Sequence, residues 1–210
     1  MPSYKLTYFG FKGGRGESIR MALHCGGIPF TDERLTHEQF AKIKESLPFG
    51  QVPILTIDEK TVISQEAAIL RYVGRKTGLY PEDPEEAVKV DVLMCFVDDL
   101  YSAVPPFFAP EHPGKEIMIK TTIEERIPKM LSYLDKHLSD SFNNKGMAFS
   151  AGSRLTVADL RIYAALTLYK SGMLSGLPTD LVESSYPNIS KLYQAIENHE
   201  KVAQWKKAQA

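Results

Sequence analysis

Residues 47–55, LPFGQVPIL, and residues 64–73, SQEAAILRYV, decide how this chain folds. The first run is bulky and strand-like but is broken by Val52-Pro53; after a turn and a tight return strand, the second opens a helix at Gln65. Proline lacks an N–H and costs a strand one ladder donor, so Pro53 is expected at a sheet edge, where an extended ligand could pair with exposed backbone. The same X-Pro bond is the plausible place for a cis peptide, which would turn the Val52 backbone outward. About a dozen residues on, the free N–H groups at the start of the Gln65 helix form a site for a carboxylate. Taken singly, Pro53 reads as an edge marker and Gln65 as an ordinary polar helix start. Their order and spacing make them a clamp for a small peptide.

Working outward, Lys5 to Phe9 reads as a first strand, and GFKGGRG (10–16) as a glycine-rich turn feeding a helix from about Glu17 to Cys25. A strand near Phe30 to Leu35 and a short helix near His37 to Glu45 follow. Strands at Ile54 to Ile57 and Thr61 to Ser64 then lead into the Gln65 helix. That order, β-α-β-α-β-β-α, is a thioredoxin-like α/β arrangement. Gly78 to Pro84 carries two prolines and a glycine, which forbid continuous helix and mark a linker. From Glu85 the pattern is helical. Val88 to Val97 is apolar nearly all round and predicts a helix buried on several faces. A long helix from about Lys115 to Leu138 is expected to kink at Pro128. Thr156 to Asp159 reads as a helix cap, with Thr at the N-cap and an acid at the third helical position. Tyr186-Pro187 starts a further helix, and Trp205 is expected to pack near its end.

Composition bounds the function. With 210 residues, of which 43% are hydrophobic and 24% charged, the chain can build one large or two small domains with an ample core. A net charge of −1 argues against nucleic acid or an anionic membrane as partner. Cys25 and Cys95 are too few for a disulfide framework and sit in apolar stretches, so both read as inert small hydrophobes in a reducing cytosol. There is no apolar signal core and no run near the roughly 20 apolar residues of a membrane span. The glycine-rich turn lacks the phosphate-loop order, and no C-x-x-C follows the first strand, which excludes thioredoxin-type dithiol exchange.

YKLTYF (4–9), the LPFGxxPIL block and the Q-x-x-AI-x-RY helix together resemble the cytosolic glutathione transferases, closest to the sigma class. The resemblance covers essentially the whole chain and is most specific in the first 80 residues. It implies a thioredoxin-like glutathione-binding domain over residues 1–80, a linker at 81–84, and an all-helical domain over 85–210 that completes a hydrophobic substrate site. It also implies a cytoplasmic homodimer, with Phe49 as an apolar key inserted into the partner, and glutathione as co-substrate with no metal. The implied reaction is attack of the glutathione thiolate on a small apolar electrophile.

That reaction sets requirements. A thiol with pKa near 8.5 is only about 3% ionised at pH 7. Lowering the pKa to roughly 6.5 would ionise about three quarters of it. Nucleophilicity falls by roughly 6- to 10-fold over the same two units. The net gain is a few-fold, so holding the electrophile beside the sulfur matters more than ionisation. The resemblance assigns the thiolate hydrogen bond to Tyr8, a phenol that keeps its proton at pH 7. From spacing alone Tyr8 could equally be a packed strand tyrosine. Ser18 is the alternative donor, as serine is in other classes, but it lies inside the predicted helix. Arg15 matches the sigma-class arginine that adds positive potential at sulfur, although this chain carries an extra glycine in the turn before it.

For glutathione itself the resemblance points to Phe40, Lys44, Gln51, Val52, Pro53, Gln65 and Glu66. Phe40 replaces a tryptophan and so loses an indole N–H, and Lys44 is a candidate partner for the glycine carboxylate. Glu66 stands where the family has serine. A carboxylate about 4 Å from the γ-glutamyl carboxylate costs from about 1 kcal/mol in water to about 4 kcal/mol at an effective dielectric of 20. The expectation is weaker glutathione binding, unless Glu66 turns to the ligand ammonium. Of Asp98 and Asp99, Asp99 is the closer match to the aspartate that crosses the dimer to that ammonium. Phe9, Gly14, Tyr101, Val104, Pro105, Phe108 and Arg161 are the hydrophobic-site candidates. Cys95 and Pro106 replace an aspartate and a tryptophan of the sigma-class prostaglandin synthase, which disfavours that activity. Two alternatives remain: a non-catalytic binding member of the fold, and a glutathione-dependent isomerase.

Overall fold

The computed structural model describes residues 2–144 and 146–209. In the first half, β1 (Tyr4–Phe9), α1 (Gly14–Cys25), β2 (Thr31–Leu35), α2 (His37–Ile43), β3 (Ile54–Ile57), β4 (Thr61–Ser64) and α3 (Glu66–Thr77) follow in the order the sequence predicts. The sheet runs β2-β1-β3-β4, with β1 parallel to β2 and antiparallel to β3, and β3 antiparallel to β4. This is the thioredoxin-like sheet. Val52-Pro53 is cis. Pro53 does not sit at an edge, however: β3 is an inner strand, and Pro53 stands one residue before it, outside the ladder. The sheet therefore loses no donor to it.

Helix α1 starts three residues earlier than expected, because the glycine turn is a packing device. Gly13 takes a φ of 83°, and a Cβ there would lie 2.8 Å from the backbone N of Leu168. A Cβ on Gly16 would lie 2.1 Å from the Tyr8 ring. Only glycine lets α1 approach both β1 and the helical half this closely.

The second half is helical: α4 (Pro84–Ser102), α5 (Pro105–Phe108), α6 (Lys115–Thr121), α7 (Ile127–Ser139), α8 (Val157–Tyr169), α9 (Leu181–Ser185), α10 (Pro187–Glu197) and α11 (Glu200–Ala208). The expected Lys115 to Leu138 helix is continuous, but a π turn over Thr122–Arg126 precedes Pro128 and absorbs its missing N–H. Helix α4 is not buried on several faces. Val90, Leu93, Met94 and Val97 face inward, whereas Val88, Val92 and Cys95 are exposed on the single chain. Apolar composition alone did not reveal that only one stripe of this helix has a partner within the chain. Cys95 is accordingly no core hydrophobe, unlike Cys25, whose buried thiol is pushed up to about 11.

Helix α8 is the centre of the helical half, almost wholly buried, and packs against both α1 and α4. Its Thr156–Asp159 capping box is present. The buried Asp159 carboxylate accepts hydrogen bonds from Thr156 N and Oγ1, both 2.8 Å, and from Ser150 N and Oγ at 2.8 and 2.6 Å. Trp205 departs from expectation. It lies on α11 rather than near the end of α10, and its indole N–H donates to Glu17 Oε1 at 2.7 Å, docking the last helix on α1. Among the described residues, no helix is long and apolar enough to cross a membrane.

Candidate active site

Two cavities lie side by side and share Arg15. The first, of about 250 Å³, is polar and is lined by Gln51, Val52 and Pro53 before β3, by Ser64 to Ala67 where β4 turns into α3, and by Arg15, Asp98 and Arg161. Gln65 caps α3 with a φ of 69°, an uncommon conformation for a residue with a side chain. Among the described residues no side chain caps that helix, so its first N–H groups are left to a ligand or to water.

The floor of this cavity holds an alternating ring of charges. Arg161 donates from Nη2 to Glu66 Oε2 at 3.0 Å and to Asp98 Oδ1 at 2.6 Å, and from Nη1 to the Met94 carbonyl. Arg15 stands further off, with Nε 3.6 Å from Glu66 and Nη2 3.8 Å from Asp98. Ser18 donates to the other Glu66 oxygen at 2.7 Å. Burial pushes the Glu66 carboxyl above the usual range, while Arg161, Ser18 and Arg15 oppose the shift. Two expectations change here. Glu66 is turned inward to Arg161 and Ser18, so its charge is matched within the protein. Arg161 belongs to the polar cavity and not to the apolar one, because the two carboxylates hold it there.

The second cavity, of about 340 Å³, is apolar and is lined by Tyr8, Phe9, Phe11, Gly14, Arg15, His37, Tyr101, Val104, Pro105, Phe108, Leu168 and Met173. Six of the seven candidates for this site converge here, all but Arg161. Tyr8 ends on its wall from β1; burial and the nearby Glu66 charge push its phenol up to about 12, against the pull of Arg15, so it is a neutral donor. The Arg15 guanidinium lies 4.4 Å over the Tyr101 ring. Tyr101 is buried, and its hydroxyl has no partner among the described residues.

Of the other sequence candidates, Gln51, Val52, Pro53, Gln65 and Glu66 meet in the polar cavity. Phe40 packs edge-on against Phe9, Lys44 is an exposed residue in the 3-10 turn Lys44–Ser46, and Asp99 is exposed; these three are not among the residues lining either cavity. Asp98 rather than Asp99 reaches the polar cavity of its own chain, because one residue turns a helical side chain by about 100°. Phe49 is 76% exposed, with a φ of 57°. Phe11, His37, Leu168 and Met173 were not anticipated. Phe11 follows β1 inside the glycine turn, and its aromatic character next to Tyr8 and Phe9 was the available signal.

Comparison with known proteins shows the family. Residues 16–76 match the glutathione S-transferase N-terminal domain, and residues 98–209 match the glutathione S-transferase C-terminal domain. Glutathione S-transferase 1 of Ascaris suum is 35% identical over 202 residues, covering 91% of this chain and 95% of its own. The prostaglandin synthase D structure of Nilaparvata lugens superposes with a TM-score of 0.86 at 28% identity, covering 99% of this chain and 98% of its own. A sigma-class transferase of Fasciola hepatica superposes with a TM-score of 0.80 at 28% identity, covering 100% and 97%. The chain belongs to the glutathione S-transferase family, with a sigma-class member among its structural neighbours.

Proposed function

We propose that this chain binds glutathione in the polar cavity and conjugates its sulfur to small apolar electrophiles held in the apolar one. The observation that carries this reading is Tyr8, a buried neutral phenol on the wall of an apolar cavity whose neighbour offers an uncapped helix N-terminus. In this reading the γ-glutamyl carboxylate takes the first N–H groups of α3. The peptide backbone pairs with Val52 beside Pro53, and Gln51 and Gln65 hold its polar groups. Residues 1–80 then form the glutathione-binding domain, 81–84 the linker, and 85–210 the domain that closes the apolar site. Tyr8 donates to the sulfur as the thiol loses its proton to water, and Arg15, shared by both cavities, adds positive potential. Lys44, outside the cavity, reaches the glycine carboxylate, and Phe40, packed on Phe9, borders the ligand without an indole N–H to offer. Asp99 and Phe49 act across a homodimer, Phe49 as an exposed apolar key.

Because ionisation brings only a few-fold, the apolar cavity supplies most of the acceleration by holding the electrophile against the sulfur. The test is conjugation of glutathione to a chloronitrobenzene at saturating glutathione, with wild type and Tyr8→Phe. A wild-type rate well above background that falls in the variant supports the proposal. A wild-type rate equal to the uncatalysed one removes it and favours a non-catalytic binding protein. The likeness to a structure named as a prostaglandin synthase keeps an isomerase as the second reading. Free thiol returned intact after turnover would separate it from conjugation.

A further inference from the structure

We infer that Arg161 is the positioning residue of the glutathione site: by neutralising Glu66 and Asp98 together, it leaves Arg15 free to face the sulfur. The inference rests on the transferase reading above. Two oxygens, Glu66 Oε2 and Asp98 Oδ1, are contested by both arginines, and Arg161 holds the shorter contact to each: 3.0 against 3.6 Å, and 2.6 against 3.8 Å. The Arg161 side chain is 1% exposed and that of Arg15 is 42% exposed. The buried cation therefore takes the acids, and the accessible one is left over Tyr101, on the wall of both cavities.

The charge count explains why this matters. Glu66 and Asp98 against Arg15 and Arg161 sum to zero; without Arg161 the same group is net −1, where an anionic ligand must dock. Arg15 would then be drawn down onto the acids. The planar fork of arginine suits this task, since one guanidinium bridges two carboxylates, whereas a lysine ammonium offers a single point of charge. The ionisable groups facing this pair are Arg15 from α1, Asp98 and Tyr101 from α4, and Tyr8 from β1, and burial keeps both phenols neutral.

The experiment measures glutathione binding by calorimetry, and the pH midpoint at which the bound thiolate absorbs in the ultraviolet. The proteins compared are wild type, Arg161→Met, Arg161→Lys and the double variant Glu66→Ser/Arg161→Met. We expect Arg161→Met to bind at least tenfold more weakly and to raise the thiolate midpoint by about one unit, which is a tenfold change in ionisation. Arg161→Lys should fall between, and the double variant should recover most of the lost affinity, because the uncompensated acid is gone. Arg161→Met that is folded and matches wild type in both readouts would overturn the inference, as would a double variant no better than the single. If Arg161→Met does not fold, Arg161→Lys decides on the same terms. Wild type that shows neither binding nor a thiolate band would instead overturn the transferase reading itself.

Discussion

Asp159 and Glu66 are both carboxylates buried in the first turn of a helix, and the protein disposes of their charge in opposite ways. At Asp159, two backbone N–H groups and two hydroxyls donate to the carboxylate, from the N-cap Thr156 and from Ser150 in the loop that leads into the helix. At Glu66, one hydroxyl and a guanidinium from another helix hold the charge, with a second guanidinium close by, and the site opens on a cavity. Burial pushes both acids upward in pKa. A carboxylate satisfied by local neutral donors is a structural staple. One balanced by cations shared with a cavity couples the fold to the ligand.

That contrast can be broken by substitution, and the largest effect should come from the staple. Asp159→Ala strands four donors, each buried unsatisfied group costing about 1–3 kcal/mol, so urea unfolding should show a loss of at least about 4 kcal/mol. The molecules that remain folded should bind glutathione as wild type does. Arg161→Met leaves the buried Glu66 charge with only Ser18 and a drawn-down Arg15 to offset it, with an expected loss of up to about 3–5 kcal/mol in the same measurement. The double variant Glu66→Ser/Arg161→Met should regain most of that stability, since removing a whole buried pair is often close to neutral. Stability loss without any change in glutathione affinity would make Glu66 a second staple and erase the contrast.

Smaller effects sharpen the picture at the cavity. Tyr8→Phe removes a hydrogen bond to a charged sulfur, worth about 1.5–3 kcal/mol, so the pKa of the bound thiol should rise by about one to two units. Because nucleophilicity rises as ionisation falls, steady-state conjugation near neutral pH should slow only about a few-fold, while the unfolding midpoint barely moves. The smallest effect concerns pH. Burial pushes the Tyr8 phenol up to about 12, against an ordinary value of 10.0. A tyrosine raised in this way contributes stability that is fully present below the unfolded pKa and is lost as pH rises through the folded one. Tyrosinate absorbance should therefore show no difference between wild type and Tyr8→Phe at pH 9, with one appearing only towards pH 12. Across the neutral range Tyr8 stays protonated, so a rise in rate with pH does not come from its ionisation.

Most of the fold could be read from residue order, because glycine, proline and capping residues act locally. Pro53, Gln65, the Gly78 to Pro84 break and the Thr156 cap each fix backbone within a few residues, and the strand boundaries at Ile54 to Ile57 and Thr61 to Ser64 followed from them. What escaped was long-range. The inner position of β3, the exposed valines of α4 and the docking of Trp205 on α1 depend on segments far apart in the chain. The site shows the same division. Half of the apolar cavity's lining, from β1 and the α4–α5 stretch, was reached through the family resemblance, whereas Phe11, His37, Leu168 and Met173 come from segments that only the fold brings together. The inward turn of Glu66 was not, because its partner Arg161 is 95 residues away and nothing local announces the pairing.

The central claim is that Tyr8 stabilises the thiolate of bound glutathione by donating a hydrogen bond to it, and the most direct measurement is the ultraviolet thiolate difference spectrum titrated against pH in wild type and Tyr8→Phe. The account predicts a wild-type midpoint at least one unit below the roughly 8.5 of a free thiol, moving back towards that value in the variant. A wild-type midpoint equal to that of free glutathione, or one unchanged by Tyr8→Phe, would contradict it.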